Sequence, residues 1–129
     1  RRAEGYTPEV MEAVHHDPWN FRPPGGEGMK AGTERLLGFL RQATEAPHEY
    51  IAVISHGMLI RGAVVELLGL EKRQSFSVEI CNTSVTTLLS PTHCKLEVLA
   101  AYQSDHLEAT GLGRRSGVLK PANTQAEEH

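Results

Sequence analysis

The segment Ser55-His56-Gly57 places one imidazole between two different patterns of apolar residues. An apolar, β-branched run covers residues 50–54, and a helical pattern over about 58–68 follows directly. This order predicts a histidine at the carboxyl end of a buried strand, facing the first turn of a helix. Free backbone N–H groups and the helix dipole favour an anion at such a turn. The chemistry expected of His56 is therefore recognition of a phosphate group.

A histidine in this position has a second interpretation, as a polar core residue whose hydrogen bonds are satisfied by the fold. The small neighbours Ser55 and Gly57 favour the phosphate interpretation, because they leave room for a ligand close to the backbone. Gly57 also permits a sharp turn between strand and helix. We therefore expect His56 to be the catalytic residue of this segment, with Gly57 and Met58 supplying backbone donors to phosphate.

Composition places the chain among ordinary globular proteins. Its 129 residues fit one domain, with 40% hydrophobic residues, 22% charged residues and a formal net charge of -3. The charge and the scattered basic residues argue against nucleic acid as a partner, and no apolar run has the length of a membrane span. Cys81 and Cys94 lack the spacing of a metal knuckle. A reducing cytoplasm is the expected location.

The pattern of apolar residues predicts an α/β domain, a layered sheet with helices on both faces. Thr7 and Pro8 mark a first short helix, and Pro and Gly residues predict a loop over 15–28. Helices are expected at about 29–44 and 58–68, the second ended by Gly69. Strands are expected at 50–54, 76–80, 84–89 and 95–102, the last two as an antiparallel hairpin. Residues 1–107 form the predicted domain, and 108–129 a disordered tail.

Five short motifs, in order, resemble those of the histidine phosphatase superfamily, the phosphoglycerate-mutase-like proteins. Ser55-His56-Gly57 with Ile60-Arg61 resembles the motif of the family's second histidine. The other four are Glu4-Gly5-Tyr6-Thr7, Pro23-Pro24-Gly25-Gly26-Glu27, Asn82-Thr83-Ser84-Val85-Thr86 and Asp105-His106-Leu107. Ala3 stands where the family usually has Trp, and Gly28 where it usually has Ser. The resemblance covers the chain to about Leu107 and implies a phosphoglycerate-mutase-like fold that lacks its first strand and helix.

The resemblance implies a metal-independent phosphatase or mutase that acts on a phosphate monoester through a phosphohistidine. One histidine attacks the phosphoryl group, while a second histidine and arginines balance the charge of its oxygens. His56 matches the second histidine, a phosphate ligand. The nucleophile's Arg-His-Gly motif does not occur in this sequence, and the family's proton donor would lie before Arg1. We therefore expect a fragment of an enzyme that is inactive alone; a pseudoenzyme without the first strand is the alternative.

Several other residues have two interpretations each. Glu27 either stabilises a helix start or orients groups of the pocket, and Asn82 either donates to a ligand or caps a turn. Arg61 is expected to form an ion pair beneath the site rather than contact substrate, and Cys81 to be a buried thiol. His15-His16-Asp17 could hold a metal ion, but adjacent side chains rarely point at one ion. We expect a solvated loop there, with His15 near the pocket and no metal or cofactor.

Partners follow from the same resemblance. The family acts on sugar phosphates, phosphoglycerate, nucleotide-derived phosphates and phosphoproteins, so a phosphorylated small molecule or a phosphoprotein is expected. The absence of a strong basic patch disfavours a highly anionic substrate. A non-catalytic phosphate-binding or protein-interaction module is the alternative function. In that case the chain would self-associate through an exposed sheet edge beside residues 50–54.

Overall fold

The computed structural model describes residues 7–108, which form five helices and one two-stranded antiparallel sheet. The elements in chain order are α1 (Pro8–His16), α2 (Met29–Ala43), α3 (Gly57–Leu68), α4 (Lys72–Ser75), β1 (Val85–Leu89), β2 (Glu97–Gln103) and α5 (Asp105–Glu108). The α/β class is thus confirmed, although the sheet is smaller than predicted. The motif stretch at residues 3–6 and the predicted tail beyond residue 108 lie outside the described residues. None of the helices within residues 7–108 is both long and apolar enough to cross a membrane.

Helix α3 is the centre of the core, packed between α2 and strand β2. Val64 lies in one buried cluster with Val98, Ala101 and Tyr102 of β2. Ile60, Leu67 and Leu68 of the same helix surround this cluster. The helix predicted over about 58–68 is therefore confirmed, and Gly69 ends it in the left-handed conformation, with φ of 64°.

Helices α2 and α3 approach each other closely because glycines lie at their contact. A Cβ atom built on Gly62 would lie 2.0 Å from Oγ1 of Thr33, and one on Gly32 would lie 2.7 Å from Cδ2 of Leu59. Thr33 is fully buried, and its hydroxyl has no hydrogen-bond partner among the described residues. This close contact fixes the position of α3, and therefore of the segment at its amino end.

Helix α1 begins as the sequence predicts and ends later. The Thr7 hydroxyl accepts a hydrogen bond from the N–H of Val10 at 3.3 Å, and Pro8 occupies the first turn. The expectation that residues 15 and 16 lie in a loop is wrong, because the helix continues through His16. After Pro8, the next helix-breaking proline or glycine is Pro18, so no such residue ends the helix before His16.

The predicted strand over residues 50–54 is not formed. Its backbone has no regular secondary structure, Tyr50 is 88% exposed and Ile54 is 99% exposed. A strand exists through hydrogen bonds to a neighbouring strand, and among residues 7–108 only β1 and β2 pair. The apolar, β-branched composition of residues 50–54 is typical of a strand. A local pattern cannot show whether a second strand is present to pair with it.

The predicted strand over residues 76–80 is also absent, and no strand of the described residues pairs with it. Helix α4 occupies the residues just before it, and the Arg61 guanidinium donates hydrogen bonds to the carbonyl oxygens of Phe76, at 3.2 Å, and of Val78. Two acceptors that a strand would direct to a neighbour are therefore bonded to a side chain. The segment instead runs as an irregular connection beside α3.

The predicted hairpin is confirmed. Strands β1 and β2 pair antiparallel, with Val85 opposite Gln103 and Leu89 opposite Glu97, and the register shifts on both sides of Thr87. At this irregularity the N–H of Tyr102 donates to Oγ1 of Thr86 at 3.2 Å. The hairpin connection contacts the end of α2, where the N–H of Cys94 donates to Oγ1 of Thr44 at 3.0 Å.

Candidate functional site

His56 is the residue that caps the amino end of α3. Its backbone is extended, and its carbonyl oxygen accepts hydrogen bonds from the N–H groups of Leu59 and Ile60 at 3.1 and 3.0 Å. Its side chain is exposed and makes no capping hydrogen bond. The imidazole is therefore not a core group, and it is accessible to a ligand at the start of the helix.

The first two residues of α3 present their backbone N–H groups at this end of the helix. The hydrogen bonds of the helix begin with Leu59 and Ile60, so the geometry leaves the N–H groups of Gly57 and Met58 outside them. A Cβ atom on Gly57 would meet nothing within 4 Å, so there is open space over the first turn. The chain changes from the extended backbone of His56 to the helix at Gly57, without a positive φ at this glycine.

A cavity of about 310 Å³ adjoins this first turn. Met58 and Leu59 of α3 form one wall, and Val14, Pro18, Phe21 and Met29 contribute to the others. The cavity brings together two residues that the sequence singles out, Met58 and Glu27. His56 and Asn82 do not line it.

Glu27 is held by Arg35. The guanidinium donates from Nε to Oε2 at 3.1 Å and from Nη2 to Oε1 at 2.8 Å, a two-point arrangement. These hydrogen bonds lower the pKa of the Glu27 carboxyl below its ordinary value. Glu27 therefore has a structural role, because it forms an ion pair with Arg35 of α2. Glu27 also lines the cavity, so its role in orienting groups of the pocket stays a prediction.

Gly28 caps α2 without a side-chain hydrogen bond, as expected where the family usually has Ser. A Cβ atom at this position would lie 2.5 Å from the carbonyl oxygen of Phe21. The chain that forms the cavity wall therefore passes too close to α2 for any side chain at residue 28. Sequence reasoning does not reveal this contact, because nothing in the local pattern places Phe21 there.

Asn82 lies in a turn before β1. The N–H of Ser84 donates to the carbonyl oxygen of Cys81 at 3.2 Å, and Thr83 has a φ of 63°. Asn82 is exposed, and Cys81 is partly buried and forms no disulfide. The proposed role of Asn82 as a ligand donor remains a prediction, as do the phosphate-binding roles of His56, Gly57, Met58 and Glu27.

Arg61 supports the site from below, but not through the expected ion pair. Its guanidinium bonds the Phe76 and Val78 carbonyl oxygens and lies 6.0 Å from the centre of the Phe76 ring. Among the described residues Arg61 forms no ion pair, and the carbonyl groups of the connection after α4 take that place. The alternative of direct substrate contact also loses support, because both terminal nitrogens are bonded within the fold.

A contact that the sequence does not indicate holds the loop before α2. Trp19 is 5% exposed, and the Lys72 ammonium lies 4.5 Å from its ring centre while pairing with Glu66 at 3.0 Å. The only sequence signal is a large aromatic residue in a loop rich in proline. This contact ties the wall of the cavity to α3 and α4.

His15, His16 and Asp17 lie at the end of α1 and are exposed. The Asp17 carboxylate accepts from the side chain of Asn20 at 2.8 Å and from its N–H at 3.2 Å, and these bonds lower the Asp17 pKa. Asp17 thus acts as a turn-forming residue. Within residues 7–108, no three His, Cys, Asp or Glu side chains are grouped as metal ligands would be.

Comparison with known proteins gives one match. The model of the family described as Histidine phosphatase superfamily (branch 1) matches residues 2–103. Searches of curated proteins and of solved structures gave no match. The matched range contains α1 to α4, both strands, His56 and every residue that lines the cavity.

Proposed function

Since the chain belongs to the histidine phosphatase superfamily, we propose that His56 and the first turn of α3 bind the phosphoryl group of a phosphate monoester. Membership supports phosphatase- or mutase-type activity in general. The finer proposal is that this chain carries the phosphate-binding part of a metal-independent reaction that proceeds through a phosphohistidine. Phosphorylated small molecules and phosphoproteins are the proposed substrate classes.

The observation that carries the proposal is the exposed imidazole beside free helix donors. His56 is accessible, and the N–H groups of Gly57 and Met58 precede the hydrogen bonds of the helix. Backbone donors at a helix start favour an anion, and an imidazolium adds a charge-assisted hydrogen bond. These groups can stabilise the negative charge on the oxygens of a phosphoryl group. The two backbone N–H groups are not nucleophiles and cannot form a covalent phosphoryl intermediate.

Catalytic turnover also needs a nucleophile. In this proposal His56 binds phosphate and does not act as that nucleophile. In the family the nucleophilic histidine lies in an Arg-His-Gly motif, and this motif is absent from the sequence. We therefore propose that the chain alone does not hydrolyse phosphate monoesters. Sustained hydrolysis by purified protein that is abolished in His56→Ala would contradict this.

A reducing, cytoplasmic setting is part of the proposal. Neither Cys81 nor Cys94 forms a disulfide, and Cys94 is exposed. Reduced cysteines persist in a compartment that keeps thiols reduced.

Calorimetric titration with inorganic phosphate tests the binding role. His56→Ala should weaken binding about tenfold or more, because a hydrogen bond to a charged group contributes roughly 1.5–3 kcal/mol. His48→Ala is the matched control, since His48 is an exposed turn residue. Equal phosphate affinity in the wild-type protein and His56→Ala would refute the role of His56.

A second candidate function is favoured by the exposed apolar segment at residues 50–54. Tyr50, Ile51, Val53 and Ile54 are all exposed, and no residue of the described chain pairs with this segment. We propose that a second copy of the chain pairs with this segment as a β-strand. Self-association without phosphate affinity would favour this function over the first.

A further inference from the structure

The cavity beside α3 has a strongly apolar wall. Val14, Pro18, Phe21, Pro23, Met58 and Leu59 supply most of its surface, and Met29 is buried beneath it. Its volume of about 310 Å³ lies near the lower end of the range for small-molecule sites. A wall of this composition stabilises an apolar group through removal of its surface from water.

The charged group in this wall is already paired. Of the described residues that line the cavity, Glu27 alone has an ionisable side chain, and both of its oxygens accept hydrogen bonds from Arg35. Each Glu27 oxygen keeps a second lone pair, so this carboxylate offers a sugar at most two further acceptors. The several hydroxyl groups of a sugar would lose hydrogen bonds to water and would meet mainly apolar side chains. Each polar group buried there without a partner costs roughly 1–3 kcal/mol. The cavity therefore favours an apolar group over a polyhydroxylated one.

Met58 connects the cavity to the proposed phosphate site. Its backbone N–H belongs to the first turn of α3 beside His56, and its side chain lines the cavity. A phosphoryl group held at the first turn would thus have its ester substituent beside the apolar wall. We propose that the cavity takes the apolar, ring-sized leaving group of a phosphate monoester, so that aryl phosphates bind in preference to sugar phosphates. This inference rests on the proposed function and specifies its substrate class.

Three methionines provide a built-in test, because Met58 and Met29 line the cavity and Met11 does not. The protein is labelled with ¹³C at the methionine methyl groups and titrated with phenylphosphonate and with methylphosphonate. These probes share a head group that cannot be hydrolysed and differ in the apolar substituent. Phenylphosphonate should bind about tenfold tighter, because it buries more apolar area. It should shift the Met58 and Met29 signals and leave Met11 unchanged.

Val14→Gln and Met11→Gln form a matched pair, since both residues lie in α1 and only Val14 lines the cavity. Val14→Gln should remove the advantage of phenylphosphonate and leave orthophosphate binding unchanged, because Val14 lies outside the first turn of α3. Met11→Gln should change neither.

A second readout separates this inference from the proposed function. If orthophosphate shifts the His56 imidazole signal but the two phosphonates bind alike, the apolar leaving group is refuted and the phosphate site remains. If phenylphosphonate shifts Met58 and Met29 while orthophosphate leaves His56 unchanged, the apolar cavity is supported and the phosphate function fails. Equal weakening of orthophosphate and phenylphosphonate in Val14→Gln would overturn the inference.

Discussion

The guanidinium of Arg61 joins α3 to the irregular connection that follows α4. It donates to the carbonyl oxygens of Phe76 and Val78, and its side chain is partly buried. The sequence motif predicts that Arg61 lies beneath the site, and the structure places it one turn after Gly57 in α3. The hydrogen-bond acceptors of Arg61 could not be predicted, because every residue has a backbone carbonyl group and the sequence does not show which ones lie near Arg61. Residues 76–80 therefore direct two of their carbonyl groups to a side chain, and no strand pairs with them among the described residues.

We predict that Arg61→Met lowers the free energy of unfolding by about 1–3 kcal/mol, because two partly buried carbonyl groups lose their donor. Arg35→Met is the control. It removes a pair in which the Arg35 side chain is 67% exposed, and such pairs contribute roughly 0–1 kcal/mol. Urea denaturation measures both variants. A loss in Arg35→Met as large as that in Arg61→Met would contradict this assignment.

Tyr102 makes stability depend on pH in the alkaline range. Burial of the side chain, which is 1% exposed, raises its pKa from 10.0 to about 12, although the charge of Arg61 opposes the shift. Above pH 10 the unfolded chain releases this proton before the folded chain does. The stabilisation is therefore complete below pH 10 and is lost as the pH rises towards 12.

Urea midpoints measured between pH 9 and about pH 12 test this dependence. Tyr102→Phe should remove the fall in stability that belongs to this residue. Tyr50→Phe should leave the fall unchanged, because Tyr50 is 88% exposed. Parallel pH profiles for the wild-type protein and Tyr102→Phe would show that the hydroxyl does not cause the dependence.

At the level of elements, the contact between α2 and α3 positions the candidate site. The apolar stripes of both helices are visible in the sequence, so their existence and approximate ends were predictable. The close approach at Gly32 and Gly62 was not, because a glycine in a helical pattern carries no information about its neighbour in space. The same limit applies to residues 50–54, whose composition predicts a strand but whose pairing partner lies outside the local pattern.

Two glycine substitutions test the close contact between these helices. Gly62→Ala should destabilise the protein by about 1–3 kcal/mol, because the new Cβ would collide with the Thr33 hydroxyl. Gly38→Ala should stabilise it by roughly 0.5–1 kcal/mol, since Gly38 is exposed on α2 with nothing within 4 Å of its Cβ position.

Thermal unfolding compares the two variants of this pair. Stabilisation by both would show that the helices are not in close contact at Gly62. Destabilisation by both would show that α2 tolerates no added side chain even on its open face, and the argument from close packing would fail.

Across the whole molecule, the apolar residues 50–54 form an exposed surface directly before His56. Ile54 is 99% exposed, and exposed contiguous apolar surface marks interaction sites or aggregation-prone segments. The α/β class was predictable from the order of elements. The extent of the sheet was not, because a strand forms only where a second one pairs with it. The range that matches the family model includes residues 50–54, but the match does not explain why these apolar side chains are exposed.

We predict that Ile54→Lys reduces concentration-dependent self-association, because a charge on this segment opposes pairing between copies. Phe39→Lys is the control, since Phe39 is 53% exposed on α2 and outside the segment. Sedimentation velocity over a range of protein concentrations measures the effect. A monomeric wild-type protein, or an equal reduction by Phe39→Lys, would contradict pairing through residues 50–54.

The proposed phosphate site stands or falls with the imidazole at the start of α3. Titration of the intact chain with inorganic phosphate, followed by NMR of the histidine ring signals, tests this role. We expect a saturable shift of the His56 signals, while His48 and His93, both exposed, remain unchanged. If the His56 signals do not move, or if all exposed histidines move together, the first turn of α3 does not bind phosphate and the proposed function is wrong.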